Sequence, residues 1–307
     1  MAQITAAMVK SLRDQTSAGM MDCKKALNET NGDIEAAIDW LRTKGIAKAD
    51  KKAGRVAAEG LVAVAMAPKT GAVVEVNSET DFVARNDGFQ AAVKEIASLG
   101  VTVNSTEELA AAKTSSGESV TDYLTKLVGT IGENMTFRRM RRLSVENGAV
   151  AGYIHNAAAD NMGKIGVLVA LESTGDVSKL EELGKKIAMH IAATNPLSLT
   201  VDDLDQDLVT KEREALKAEA LESGKPEAIV DKMVEGRMVK FFKESVLMTQ
   251  IFVMDGERSI EQVIADEAKA LGTDVKMTGY VRMEVGDGIE KKEEDFAAEV
   301  AAAVAGS

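Results

Sequence analysis

A chain of 307 residues with 45% hydrophobic content holds enough apolar material for two or three ordinary cores, which excludes a disordered tail or one small module. A formal net charge of -12 and a pI near 4.9 repel phosphate backbones, so the expected partner is a protein and not a nucleic acid. Cys23 is the one cysteine, which rules out an internal disulfide framework, and with His155 and His190 as the only histidines no zinc site is expected.

The start, Met1-Ala2-Gln3-Ile4-Thr5, has neither a basic n-region nor an apolar h-region, and no apolar run reaches membrane-spanning length, so a cytoplasmic location is expected. Residues 1 to about 55 read as three short helices. Ile4, Met8 and Leu12 mark the first stripe, Met21 to Leu27 the second, and Ile34, Ala37, Ile38 and Leu41 the third. Asn31-Gly32 breaks the chain before Asp33, a candidate N-cap, and Gly45 is expected to end the third helix. Lys48, Lys51, Lys52 and Arg55 follow in a basic segment that is either a solvated face or a contact for an acidic partner surface.

The middle of the chain uses one plan twice. Leu61 to Met66, Ala72 to Val76 and a helix from Phe89 read as strand, strand, helix. Ala149 to Ile154, Ile165 to Leu171 and a helix from Val177 to Ala193 repeat the order, and Glu59-Gly60 and Asn147-Gly148 open the two copies. Asp81 and Phe82 sit at the first strand-to-helix corner, within Asn77-Ser78-Glu79-Thr80-Asp81-Phe82-Val83. Either Asp81 caps the next helix with Phe82 tucked beneath it, or the pair is a probe for a partner, the ring supplying buried area and the carboxylate direction. With 4% aromatic residues in the chain, a Phe spent on a loop carries weight.

Thr136 to Val145 alternates, with Phe137, Arg139, Arg141 and Leu143 on one side and Arg138, Met140 and Arg142 on the other. That pattern fits a charged edge strand that discourages aggregation or pairs with nearby carboxylates, phosphate binding being the alternative. Between Asp202 and Glu244, Leu204, Leu208, Ala215 and Leu216 answer Ile229, Met233, Val234 and Phe241 across Ser223-Gly224-Lys225-Pro226, the pattern of an antiparallel helical hairpin with a narrow seam. Lys276 to Val285 alternates as a strand completing the second sheet, and after Gly286-Asp287-Gly288 a helix with Phe296 and Val300 on one stripe is expected from Ile289 to about Val304.

Reaction chemistry finds little support. Gly224-Lys225 is followed by Pro226 and has Glu219 where a phosphate loop needs its first glycine, and Gly286-Asp287-Gly288 lacks the third glycine of a dinucleotide fingerprint. His155, at an expected strand end, has no serine or cysteine nucleophile with an oxyanion motif to serve, and His190 reads as a satisfied core residue on an apolar helix. No cofactor is expected.

Four ordered blocks, Leu12 to Asn31, Thr80 to Phe89, Ser223 to Met238 and Glu284 to Val300, closely resemble the bacterial elongation factor Ts family, the exchange factors that empty guanine nucleotide from elongation factor Tu. The resemblance spans essentially the whole chain. It implies an α+β fold: a ubiquitin-associated-like bundle (1–55), core subdomain 1 with the exchange loop (56–147), core subdomain 2 (148–285) with a coiled-coil insertion at about 202–245 available for dimerisation, and a C-terminal helical module (286–307). It further implies elongation factor Tu as partner. Thr80, Asp81, Phe82 and Val83 would disturb the Mg²⁺ and phosphate site, with Lys24, Ile131, Gly132, His155, Val253 and Met254 as further contacts. The other reading, from a different class, is an adaptor whose bundle and coiled coil tether a partner without touching its nucleotide; an enzyme with a site between the subdomains stands third.

Overall fold

The computed structural model describes residues 4–16, 18–222 and 226–290. Three helices open it: α1 (Ala6–Thr16), α2 (Met20–Glu29) and α3 (Ile34–Lys52). They bury Leu12, Cys23, Ala26, Leu27 and Ala37 in a core of their own, leaving Met20 and Met21 outward on α2. The break before α3 forms as the sequence requires. Asn31 and Gly32 take positive φ of 51° and 88°, and Asp33 accepts the Ala36 N–H at 3.0 Å as N-cap.

Gly45 does not end α3, which continues to Lys52. Its role is packing. Gly45 faces Gly129 of α6 (Val120–Ile131), and a Cβ on Gly129 would lie 2.8 Å from the Gly45 Cα, so the two helices cross almost backbone to backbone. The basic segment is therefore the last turns of α3 and its exit. Among its residues Lys48 pairs with Asp22 at 2.8 Å, Lys52 Nζ donates to the Gly132 carbonyl, and Arg55 pairs with Glu79 at 3.2 Å. These cations are engaged within the chain.

The rest is antiparallel sheet flanked by helices, an α+β arrangement. The hairpin β1 (Glu59–Ala67) and β2 (Thr70–Ser78) is followed by α4 (Asp87–Gly100), α5 (Thr106–Ala111) and α6, and then β3 (Met135–Ser144) pairs with the free side of β2. The hairpin β4 (Gly148–Ala159) and β5 (Met162–Glu172) is followed by α7 (Val177–Thr194), α8 (Gln206–Glu222), α9 (Glu227–Ser245) and α10 (Ile260–Leu271), and then β6 (Lys276–Glu284) pairs with β5. The repeated plan thus extends to the returning third strand. Both copies open on a glycine at positive φ, Gly60 at 122° and Gly148 at 115°, where a Cβ would meet a backbone oxygen of the neighbouring strand at 2.2 and 2.1 Å.

The two sets meet edge to edge along a short stretch, Val62–Gly163 and Ala63–Met162 with the Val64 N–H donating to the Asn161 carbonyl at 2.9 Å, and fold face to face beyond it. Val62, Val64 and Val73 meet Val150, Leu168, Ala170 and Met283 between the sheets, while Leu61, Ala63, Val74 and Val76 face Phe89, Val93 and Ile96 of α4. Strands covered on both faces read as unbroken apolar runs, which is why β1 and β2 alternate so little.

Helices α8 and α9 form the expected antiparallel pair, and Leu216, Met233, Val234 and Phe241 lie in its seam as expected, while Val209 and Val230 take the places expected of Leu208 and Ile229. Val209, Leu216 and Ala220 meet Val230, Met233, Val234, Met238 and Phe241, whereas Leu208, Ala215 and Ile229 are exposed and Leu204 is buried outside the seam. Arg213–Glu235 and Arg237–Glu219 ion pairs flank it. The turn residues Ser223 to Lys225 and the C-terminal helix with Phe296 and Val300 lie outside the described residues.

Candidate partner-binding site

Of the four residues expected to act on a partner, Thr80 to Val83, two are free and two are held. The Thr80 N–H and hydroxyl donate to the two carboxylate oxygens of Glu133 at 2.9 and 2.8 Å, and the Ser78 hydroxyl donates to the Thr80 carbonyl at 2.9 Å. Downstream, Val83 is 4% exposed and Ala84 lies with it in the first core, so Val83 is an anchor and has no surface to offer a partner. Asp81 and Phe82 hang between these fixed points. Phe82 is 75% exposed, and among the described residues the Asp81 carboxylate has no hydrogen-bond or ion-pair partner.

The capping reading of this corner is overturned. Asn86 is the N-cap of α4, its Oδ1 accepting the Phe89 N–H at 3.1 Å, and it is Phe89, not Phe82, that fills the core beneath the helix.

Glu79 answers Glu133 from the other side. It accepts the Asn134 N–H at 2.6 Å and the Arg55 guanidinium at 3.2 Å, while the Asn134 amide donates to the Arg55 carbonyl at 2.8 Å. Adjacent residues of one loop thus bond adjacent residues of the other, 79 to 134 and 80 to 133. Ile131 and Gly132, expected as weaker contacts, belong to the second loop. Ile131 is half-buried against the first core, and Gly132 caps α6 in the left-handed region at φ 91°.

Glu75 holds the base of the same corner. It is fully buried, accepts from Arg138 at 3.1 Å, Arg139 at 2.5 Å, the Asn77 amide at 3.0 Å and the Gly286 N–H at 2.7 Å, and so ties the chain leaving β6 to the sheet under the loop. Burial pushes its carboxyl up, but the bonds from Gly286, Asn77 and Arg139 and the Arg139 charge outweigh it and hold the group below its ordinary value. Arg138 and Arg139 of β3 therefore pair with a carboxylate, one of the roles the sequence suggested, whereas Arg141 donates to the Met140 carbonyl and Arg142 to the Val101 carbonyl and Asn104 Oδ1.

The remaining candidates are more scattered. Lys24 is exposed on α2. Val253 and Met254, 47% and 48% exposed, top a loop pinned by buried Phe252, and the Glu257 N–H, with further bonds from Arg258, holds Asp255 beneath them below the usual carboxylate range. His155 is exposed and within reach of the Tyr153 hydroxyl at 3.1 Å. It does not end a strand, because β4 runs on to Ala159 and turns at Asp160-Asn161 into β5.

His190 is the satisfied core residue expected. Nδ1 accepts the Val253 N–H at 3.3 Å and Nε2 faces the Gln250 Oε1 at 2.9 Å, which fixes the neutral ring with its proton on Nε2. Burial, opposed by the Gln250 bond, lowers its pKa below the ordinary 6.5. The neutral ring belongs to the folded state, so its contribution is complete above 6.5 and is lost as pH falls from there through the lowered value. Protection of the Val253 amide, its exchange measured relative to the intrinsic rate at each pH, is expected to fall over that interval, and a His190→Gln variant is expected to abolish the pH step.

A groove of about 570 Å³ opens between α3 and α6, lined by Ile38, Trp40, Leu41 and Lys126 among others, and holds no histidine or cysteine. Among the described residues no group of three or more His, Cys, Asp or Glu is placed to hold a metal, and no helix is long and apolar enough to cross a membrane.

An exposed aromatic strapped on both flanks, with further apolar loop tips elsewhere on a rigid sheet core, is the layout of a protein-docking factor. The family model described as Elongation factor TS matches residues 79–287. Elongation factor Ts of Caulobacter vibrioides is 58% identical over 306 residues, covering 98% of both chains, that of Maricaulis maris 60% over 308 residues with 99% of both covered, and that of Parvibaculum lavamentivorans 56% over 308 residues with 100% of both covered. The chain belongs to the elongation factor Ts family.

Proposed function

We infer that this chain binds elongation factor Tu carrying GDP and promotes GDP release, so that GTP reloads, with no bond chemistry of its own. The observation that carries this is Phe82, the largest side chain at the loop tip, held out of its own core between two anchors. By family resemblance Asp81 and Phe82 push into the partner beside its Mg²⁺ site, the metal and then the phosphates losing ligands, while Lys24, Ile131, Gly132, His155, Val253 and Met254 supply further contact. Identity over the full length to elongation factors Ts disfavours a tether that leaves nucleotide alone. The organisation proposed is a ubiquitin-associated-like module over 1–55, exchange and second core subdomains over 56–147 and 148–285, a coiled coil at about 202–245 that pairs with a second copy, and a C-terminal module over 286–307, in a cytoplasmic protein without direct nucleic-acid contact.

Release a thousandfold faster needs about 4 kcal/mol at about 1.36 per tenfold, more than the roughly 1.5–3 kcal/mol from burying one Phe. Binding energy gathered at the other contacts must drive the wedge. Coupling is reciprocal: nucleotide loosens this protein by the factor by which this protein loosens nucleotide. The expected outcome in light scattering is a complex that forms with nucleotide-free elongation factor Tu and dissociates on addition of GDP; a complex indifferent to GDP refutes the reading.

A further inference from the structure

We propose that Glu133 is a positioning residue for exchange, a strap that holds the Thr80 backbone so that Asp81 and Phe82 project; the proposal rests on the exchange reading above. Its carboxylate grips Thr80 twice, at the N–H and the hydroxyl, one residue before the two free side chains. The reverse bond, from the Asn134 N–H to Glu79, makes the grip reciprocal, so the loop at 79–82 cannot shift without the loop at 131–134. Lys52 on the Gly132 carbonyl and Arg55 on Glu79 extend the same strap to the last turn and exit of α3.

One consequence is that the wedge arrives already ordered. A loop that must be fixed at the moment of binding spends part of the contact energy on its own conformational entropy, and less remains to dislodge a ligand. A second is that the strap needs hydrogen-bond geometry and not negative charge. A glutamine at 133 still accepts the Thr80 N–H through its amide oxygen and donates its amide N–H to the Thr80 hydroxyl, which accepts as readily as it donates.

The test is stopped-flow release of fluorescent GDP from elongation factor Tu by wild type, Glu133→Ala and Glu133→Gln, with thermal midpoints and Thr80 amide exchange of each free protein. The expected result is at least a tenfold lower maximal rate for Glu133→Ala at a half-saturating concentration within about threefold of wild type. Thr80 exchange should rise at least tenfold in that variant, and Glu133→Gln should recover most of both. Loss in both variants alike would mean that the charge meets the partner directly and overturns the strap. An alanine variant as fast as wild type overturns it too. If wild type itself fails to accelerate release, the exchange reading falls and this role with it, whereas the other failures leave that reading standing.

Discussion

Phe82→Ala is expected to lower the acceleration of GDP release by about tenfold to about 150-fold, the range that losing roughly 1.5–3 kcal/mol of aromatic burial gives at about 1.36 kcal/mol per tenfold. Folding should not notice the change. The ring is 75% exposed and belongs to no core cluster, and the loop around it is fixed by Thr80, Ser78 and Val83 rather than by the ring. The thermal midpoint should therefore stay put while the rate falls, a separation few core substitutions can produce. Phe89→Ala makes the contrast, because that ring is fully buried beneath α4 and its truncation should cost about 3–5 kcal/mol of stability.

Glu75→Ala is expected to destabilise the fold about as strongly as Phe89→Ala. Removing the carboxylate takes the ion-pair partner from Arg138, leaves Arg139 only the Glu284 carbonyl and the more distant Asp287, and costs the Asn77 amide and the Gly286 N–H one bond each. Breaking a buried pair in this way costs about 3–5 kcal/mol, a fall in midpoint on the order of 10 °C for a chain of this size. The pH dependence has a definite sign. Because the folded carboxyl lies below its ordinary value of 4.5, its stabilisation is complete above 4.5 and is lost as pH falls through the lowered value. Thermal melts between neutral and acid pH should show that loss in wild type and a flatter profile in Glu75→Ala. Glu75→Gln, which keeps an acceptor but cannot titrate, should show the same flatter profile with a neutral-pH midpoint between those of wild type and Glu75→Ala.

What the sequence revealed and what it hid follow from range. Asp33 before an apolar stripe at helical spacing announces its cap, and the doubled strand-strand-helix order is visible because each hairpin lies within about 25 residues of chain. The α8–α9 seam was legible at Leu216, Met233, Val234 and Phe241 but not at its ends, because Leu208 and Val209, and again Ile229 and Val230, are adjacent apolar choices that only the opposite helix can decide between. Gly45 looked like a terminator because its use lies in Gly129, far along the chain. Helix α6 escaped notice since Val120, Thr121, Thr125, Val128, Thr130 and Ile131 are β-branched, a local preference that packing of Leu124 and Val128 overrides.

Helix α10 was not read from the sequence either, although its signals are local: Ser259 and Gln262 form a capping box and Gly272 closes the helix. At the site, Phe82 stood out by composition, but its exposure hinged on whether Asp81 or Asn86 caps α4, and both are competent caps. Glu79 and Glu133 carried no signal at all. Acidic residues are abundant in a chain of net charge -12, and only the folded loops bring these two into reciprocal contact.

The central claim is that this protein opens the nucleotide site of elongation factor Tu. Release of fluorescent GDP from that GTPase, followed by stopped flow against rising concentrations of the wild-type protein, tests it most directly. A rate that climbs and saturates well above spontaneous release is the predicted result. Binding without any change in the release rate would contradict it.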